Sequence, residues 1–205
     1  MEKSSNYGSI MLWAIAILIA TLIIAFMPTE SDGAIYEDTV RLHIIANSDG
    51  DRDQQIKLKI RDKLLLEYGE ELSGVKSVRD AEMLLEAKRD TIKDSVEGWL
   101  SELGEAADAK VELGREWYDT REYDSFTLPC GYYTSLRIIL GEGEGKNWWC
   151  VMYPPLCLDL ATETAPRDDA LLGYTDDEVK LIEGGGYQLR FKLLELVSRA
   201  LKYKK

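Results

Sequence analysis

Ile10 to Met27 is an unbroken apolar run with no charge, and Thr21 is its one polar side chain. A run of that length is about the minimum for a membrane span and is long for a signal-peptide core. It lacks the polar face that a helix packed on a soluble core would show. Lys3, offset by Glu2, gives only a thin basic flank; downstream, Pro28 ends any helix and Thr29–Gly33 is polar and flexible. A small-residue pair suited to signal peptidase stands at Ser31 and Gly33, several residues past the apolar core. The pattern predicts either a cleaved signal or an uncleaved anchor. Both put the rest of the chain outside the cytoplasm, and divide it into 1–33, signal or anchor with a short linker, and 34–205, an extracytoplasmic domain.

Beyond this segment the period changes. Thr39–Ala46 is short and β-branched, ends in Asn47-Ser48-Asp49-Gly50, and reads as a strand. Asp51 with Gln54 resembles a capping box. Ile56, Ile60, Leu64, Tyr68 and Leu72 then recur at i, i+4, predicting a helix that Ser73-Gly74 ends. A second helix is predicted from Ser77 to Leu103, with Ala81, Leu85, Ile92, Val96, Trp99, Leu100 and Leu103 on its buried face. Lys110–Leu113, Glu116–Tyr118, Ser135–Leu140 and Trp148–Tyr153 are β-rich and separated by Gly, Pro and Asp, suggesting antiparallel strands and hairpins. Tyr187–Phe191 is compatible with a strand, but Leu189, Leu193, Leu196, Val197, Ala200 and Leu201 favour a terminal helix. The expected fold is α+β: a mostly antiparallel sheet with helices packed on one face, preceded by an N-terminal hydrophobic helix.

Charge narrows the partners. The net charge is −12, and the acid is uneven: Asp159 to Glu183 holds eight acids against Arg167 and Lys180, a net of −6. Most of such a surface repels nucleic acid, so no nucleic-acid partner is expected. Lys57, Lys59, Arg61 and Lys63 stand out as a basic patch on the first helix, either its solvated side or a partner-facing surface.

Few motifs carry chemistry. Asp49, Asp51 and Asp53 alternate like a calcium loop, but Gln54 and Ile60 stand where the template needs Gly and Glu. Gly141–Gly145 carries two Glu and precedes a strand, so it reads as a hairpin turn and not a phosphate cradle. His43 is the only histidine. Packed in its strand it is structural; beside Cys130, Cys150 or Cys157 it would make a thiol hydrolase. In an oxidising exterior Cys150 and Cys157 are the natural disulfide pair over Pro154-Pro155, with two buried free thiols as the alternative. No catalytic set, metal site, cofactor or small-molecule substrate is expected.

Two blocks match a known family. Arg41–Asp49 with Asp53-Gln54 and Lys57–Asp62 resembles the N-terminal signature of stage II sporulation protein R. Leu128-Pro129, Gly131-Tyr132, Leu136–Ile138, Gly141–Gly143 and Asn147–Val151 through Pro154–Cys157 is similar to its central signature, with a weaker echo at Arg190–Lys192. The family commonly has a small residue where Cys130 stands. The resemblance implies a non-enzymatic signalling protein of endospore-forming bacteria. It would be exported into the space between the two septal membranes, there to activate a membrane-embedded protease that cleaves a sigma-factor precursor. The residues expected to meet that partner are Arg41, His43, Asn47, Asp49, Asp53, Lys57 and Arg61 at the strand-to-helix corner, and Trp148 and Trp149. A thiol hydrolase and a passive envelope protein are the rival classes.

Overall fold

The structure, a computed structural model, describes residues 3–25, 30–106, 108–123, 126–157 and 174–183. In chain order its elements are α1 (Lys3–Ala25), α2 (Glu30–Glu37), β1 (Val40–Ile45), α3 (Asp51–Ser73) and α4 (Val78–Glu102). They continue with β2 (Ala109–Tyr118), β3 (Arg121–Glu122), β4 (Thr127–Leu128), β5 (Gly131–Leu140), β6 (Asn147–Tyr153) and α5 (Asp176–Glu183). The strand or helix expected at Tyr187–Leu201, the echo at Arg190–Lys192 and much of the acidic run lie outside the described residues.

The principal sheet is ordered β2-β5-β1-β6, and β3 and β4 form a separate two-stranded ribbon. β1 is parallel to β5 and antiparallel to β6, and β2 is antiparallel to β5. The sheet is therefore mostly antiparallel. Its one parallel pair is possible because α3, α4 and β2 intervene in the chain and supply the long crossover that parallel strands need.

Three local readings change. The strands expected at 110–113 and 116–118 are one strand, because the ladder with β5 continues through Gly114 opposite Ser135. The 141–145 segment is not a hairpin turn: β5 and β6 are not neighbours, so the loop arches over the end of β1 lying between them. Asp51 and Gln54 do not form a capping box. Gly50 caps α3 without a side-chain bond, and Gln54 instead donates from Nε2 to the Ser48 carbonyl at 2.8 Å.

Strand alternation divides the sheet into two unlike faces. Val40, Leu42 and Ile44 of β1, with Leu136, Ile138 and Leu140 of β5, are buried beneath Ile56, Ile60 and Leu64 of α3 and Leu85, Ile92, Val96 and Leu100 of α4. This is the helix-covered core that the i, i+4 stripes anticipate. The intervening positions, Arg41 and His43 on β1, point to the opposite face, where the sheet becomes polar and aromatic. On α1 the large apolar side chains Ile10, Leu12, Trp13, Ile17, Leu18 and Ile19 are exposed and take no part in this core. No helix among the described residues is long and apolar enough to cross a membrane.

α2 and α5 meet at the start of β1. The Thr39 hydroxyl donates to the Ile35 carbonyl at 2.6 Å and shares a 2.8 Å hydrogen bond with the Tyr174 hydroxyl. Glu178, 1% exposed, accepts from Thr175 N at 2.7 Å and lies against Asp38. Burial, the Glu178 charge and a Glu178 hydrogen bond push the Asp38 carboxyl up to about 6. The folded chain thus holds a proton that the unfolded chain releases near 3.8, so stability falls as pH rises from about 4 to 6 and the full cost is present above 6. Asp38→Asn keeps a hydrogen bond and removes the charge. It should flatten that pH dependence and raise the pH 7 melting temperature by roughly 2–4 °C. That is the response to about 1 kcal/mol in a chain of this size, a figure reduced for the solvent that screens a partly exposed carboxyl. Melting curves at pH 4 and 7 check this; a variant as pH-dependent as the parent would contradict it.

Candidate functional site

The turn after β1 and the arch over it are tied together by side chains from the first motif. Asn47 Oδ1 accepts from the Glu142 amide at 3.0 Å, and the Asn47 carbonyl accepts from the Glu144 amide at 3.1 Å. Asp49 Oδ1 accepts from the Lys146 amide at 2.7 Å, and Lys57 Nζ donates to the Lys146 carbonyl at 2.9 Å. Asp53 holds the turn from beneath, accepting from Ser48 Oγ at 2.6 Å and Asn47 Nδ2 at 2.9 Å. Those two bonds, Ser48's first, hold its carboxyl below the usual range. The close approach requires glycine: a Cβ at Gly145 would collide with the Ser48 carbonyl, and Gly141 sits at φ +57° against Asn47. Asp49 and Asp53, which resemble calcium-loop ligands, thus each turn one carboxylate oxygen to the backbone or side chains of this clamp.

Lys57 is 5% exposed, and burial pulls its ammonium below the usual range, partly offset by Asp49. It acts inside the clamp. Arg61, one turn further along α3, instead lies over Trp148 with its guanidinium carbon 5.1 Å from the ring and pairs with Asp62 at 2.6 Å. The strand-to-helix corner and the first of the two tryptophans, which the sequence suggests as separate surfaces, therefore form one corner of the molecule.

Trp149 turns to the other face, as alternation requires. It stacks on His43 at 5.4 Å between centroids, and the Arg121 guanidinium covers its ring at 3.8 Å. His43 Nδ1 faces both oxygens of Glu116 at 3.0 Å, and Nε2 lies 2.9 Å from Asn147 Oδ1. Both ring nitrogens are thus occupied by an acid and an amide and neither meets a thiol. Burial alone would raise the Glu116 carboxyl, but hydrogen bonds from His43, Tyr118 and Ser135 and the His43 charge carry it below the usual range. Behind this group Arg41 is fully buried, with no carboxylate partner among the described residues. Its guanidinium lies 4.2 Å from the Tyr118 centroid and 5.0 Å from that of Tyr133, and it donates to Tyr123 Oη at 2.7 Å and the Cys150 carbonyl at 3.2 Å. A buried cation held by ring faces and neutral acceptors is a core element, not a contact residue.

Cys150 projects to the helix side opposite Leu42 and is joined to Cys157, with Cα atoms 6.3 Å apart, inside the span a disulfide bridges. Cys130 is buried apart from them. Sequence reasoning missed Glu116, Tyr118, Arg121, Ser135 and Asn147 as companions of His43. The signal for Glu116 was present: a carboxylate in a β-rich stretch beside a lone histidine. The strand order that brings them together was not.

Comparison with known proteins covers the same two blocks. Residues 36–163, more than half of the chain, match the family described as stage II sporulation protein R. The chain is also 34% identical over 135 residues to stage II sporulation protein R of Bacillus subtilis (strain 168), an alignment covering 65% of this chain and 60% of that protein. The chain thus spans about 60% of the length of the curated relative it matches. No solved structure matches it.

Proposed function

Because the chain belongs to the stage II sporulation protein R family, we propose that it is an exported signal that activates a membrane-embedded protease during sporulation and so triggers cleavage of a sigma-factor precursor. In this reading Ile10–Met27 carries the domain across the membrane, as a cleaved signal or a retained tether, into the space between forespore and mother cell. The domain then works by contact, without catalysis of its own. An activator of this kind must bind the active state of its receptor better than the inactive one.

One observation supports the reading most: both motif blocks fold into the same corner, where Lys57 reaches the Lys146 carbonyl and Arg61 lies over Trp148. Asn47, Asp49, Asp53 and Lys57 set the shape of that corner through their hydrogen bonds, and Arg61 and Trp148 are its partly exposed anchors. Aromatic and arginine anchors of this type carry much of the energy of protein interfaces. Trp148→Ala and Arg61→Ala should each weaken binding to the protease by roughly tenfold or more. Arg61→Ala should leave the melting temperature of the domain little changed, while Trp148→Ala should lower it as well, because that ring also packs on the core. Binding by both variants at parental strength would remove this corner from the interface.

A further inference from the structure

The buried side-chain atoms that lack a hydrogen-bond partner are unevenly placed. Among the described residues they are Arg41 Nη1, Thr120 Oγ1, Arg121 Nε, Arg137 Nε and Glu178 Oε1. The three arginines belong to one continuous cluster on the face of the sheet turned away from α3 and α4. Arg121 covers Trp149, Trp149 stacks on His43, His43 pairs with Glu116, and Arg137 Nη1 lies 3.9 Å from Glu116. Arg41 joins them through Tyr118, whose hydroxyl donates to Glu116 at 3.1 Å. Beside this cluster a shallow open pocket of about 320 Å³ is lined by Glu112, Gly114, Arg115, Glu116, Ser135 and Arg137.

A buried N–H without an acceptor costs free energy, so the fold satisfies these arginines incompletely. The Nε atoms themselves lie out of a partner's reach, but Arg137 keeps 37% of its side chain exposed and Arg121 is half-buried, which leaves their outer guanidinium edges to meet a partner. The local acids do not meet the demand. Glu116 spends its oxygens on His43 and Tyr118, and Glu112 takes only the Nη2 end of Arg137 at 2.7 Å. The chain as a whole carries net −12, so a face with Arg41, Arg115, Arg121 and Arg137 against Glu112 and Glu116 is a local exception. The planar guanidinium fork matches a carboxylate more closely than a point charge does.

We propose that this face is a second docking surface, distinct from the Arg61–Trp148 corner, that receives an acidic extended segment of a partner protein. Carboxylates of the segment engage Arg121 over Trp149 and Arg137 beside the pocket. Arg41 and the tyrosines behind them form the rigid backing. This surface is independent of what the partner does after binding, so it stands or fails separately from protease activation.

The test is calorimetric titration of the full chain, in a nonionic detergent, with a short blocked peptide alternating Glu and Ala. The Lys-for-Glu peptide and inorganic phosphate serve as the other arms. Saturable binding of the acidic peptide alone is expected, weakening as salt rises. Arg121→Gln and Arg137→Gln should each weaken it roughly 10- to 100-fold, while exposed Arg79→Gln on α4 leaves it unchanged. Arg137→Lys keeps the charge and loses the fork, and should fall between parent and Arg137→Gln even if Arg121→Gln fails to fold. Binding of phosphate as tight as that of the peptide would show a small-anion site and overturn the proposal, as would no peptide binding at low salt, or binding indifferent to both arginine substitutions.

Discussion

Placing three arginines in the apolar run, at Ile15, Leu18 and Ile19, is expected to abolish signalling while the domain from Ala34 onward still folds. Each arginine near the centre of a membrane-inserting helix costs about 2.5–3.5 kcal/mol, so three oppose insertion by roughly 8–10 kcal/mol. The domain should tolerate the change, because the large apolar side chains described on α1, among them Trp13, Ile15, Leu18 and Ile19, are exposed and not part of the core. The protein should accumulate inside the cell with its precursor uncleaved. Fractionation of sporulating cells, with immunoblots for the protein and the precursor, reads both effects at once. Precursor cleavage at the parental rate with the variant confined to the cytoplasm would remove export from the account.

The largest effect on stability should come from Arg41. Truncation to alanine leaves a void among Tyr118, Tyr123 and Tyr133 and deprives Tyr123 and the Cys150 carbonyl of their donor. Large-to-small changes at such sites cost about 2–5 kcal/mol, and each lost buried partner adds to that. Arg41→Ala should therefore lower the unfolding free energy by roughly 3–5 kcal/mol in urea titrations. Arg41→Met fills most of the same space and removes a buried charge that has no counter-ion among the described residues, so it should cost less than half as much. Equal losses from the two variants would mean that the charge, not the packing, is what the site requires. Two variants within experimental error of the parent would show that Arg41 is not a core element at all.

Much of the fold was legible because it is written in local period. The i, i+4 stripes of α3 and α4 and the alternation of Val40, Leu42 and Ile44 name the buried face directly. What local period does not encode is strand order. Insertion of β1 between β5 and β6 is a long-range pairing, and it turns the glycine-rich segment at 141–145 from an apparent hairpin into an arch. The same insertion explains why Asn47 and Asp49 follow β1: they receive the amides of Glu142 and Lys146 from that arch. Turn and capping chemistry accounted for those residues by type but not by partner. The companions of His43 were hidden for the same reason, since Glu116 and Asn147 come from β2 and β6, far along the chain.

Arg41, His43 and Lys57 show the limit of reading function from a motif. All three stand in the first signature block, yet they are buried and hold the domain together. Arg61 and Trp148 remain where a partner can reach them, and they meet only because α3 packs on β6. The proposal of an activating contact thus rests on a smaller surface than the sequence alone suggests.

The most direct measurement is reconstitution in a non-sporulating host, co-expressing this chain with the candidate membrane protease and the sigma-factor precursor. The precursor should be cleaved when this chain is present and exported, and should stay intact when it is omitted. Cleavage to the same extent without this chain would contradict it.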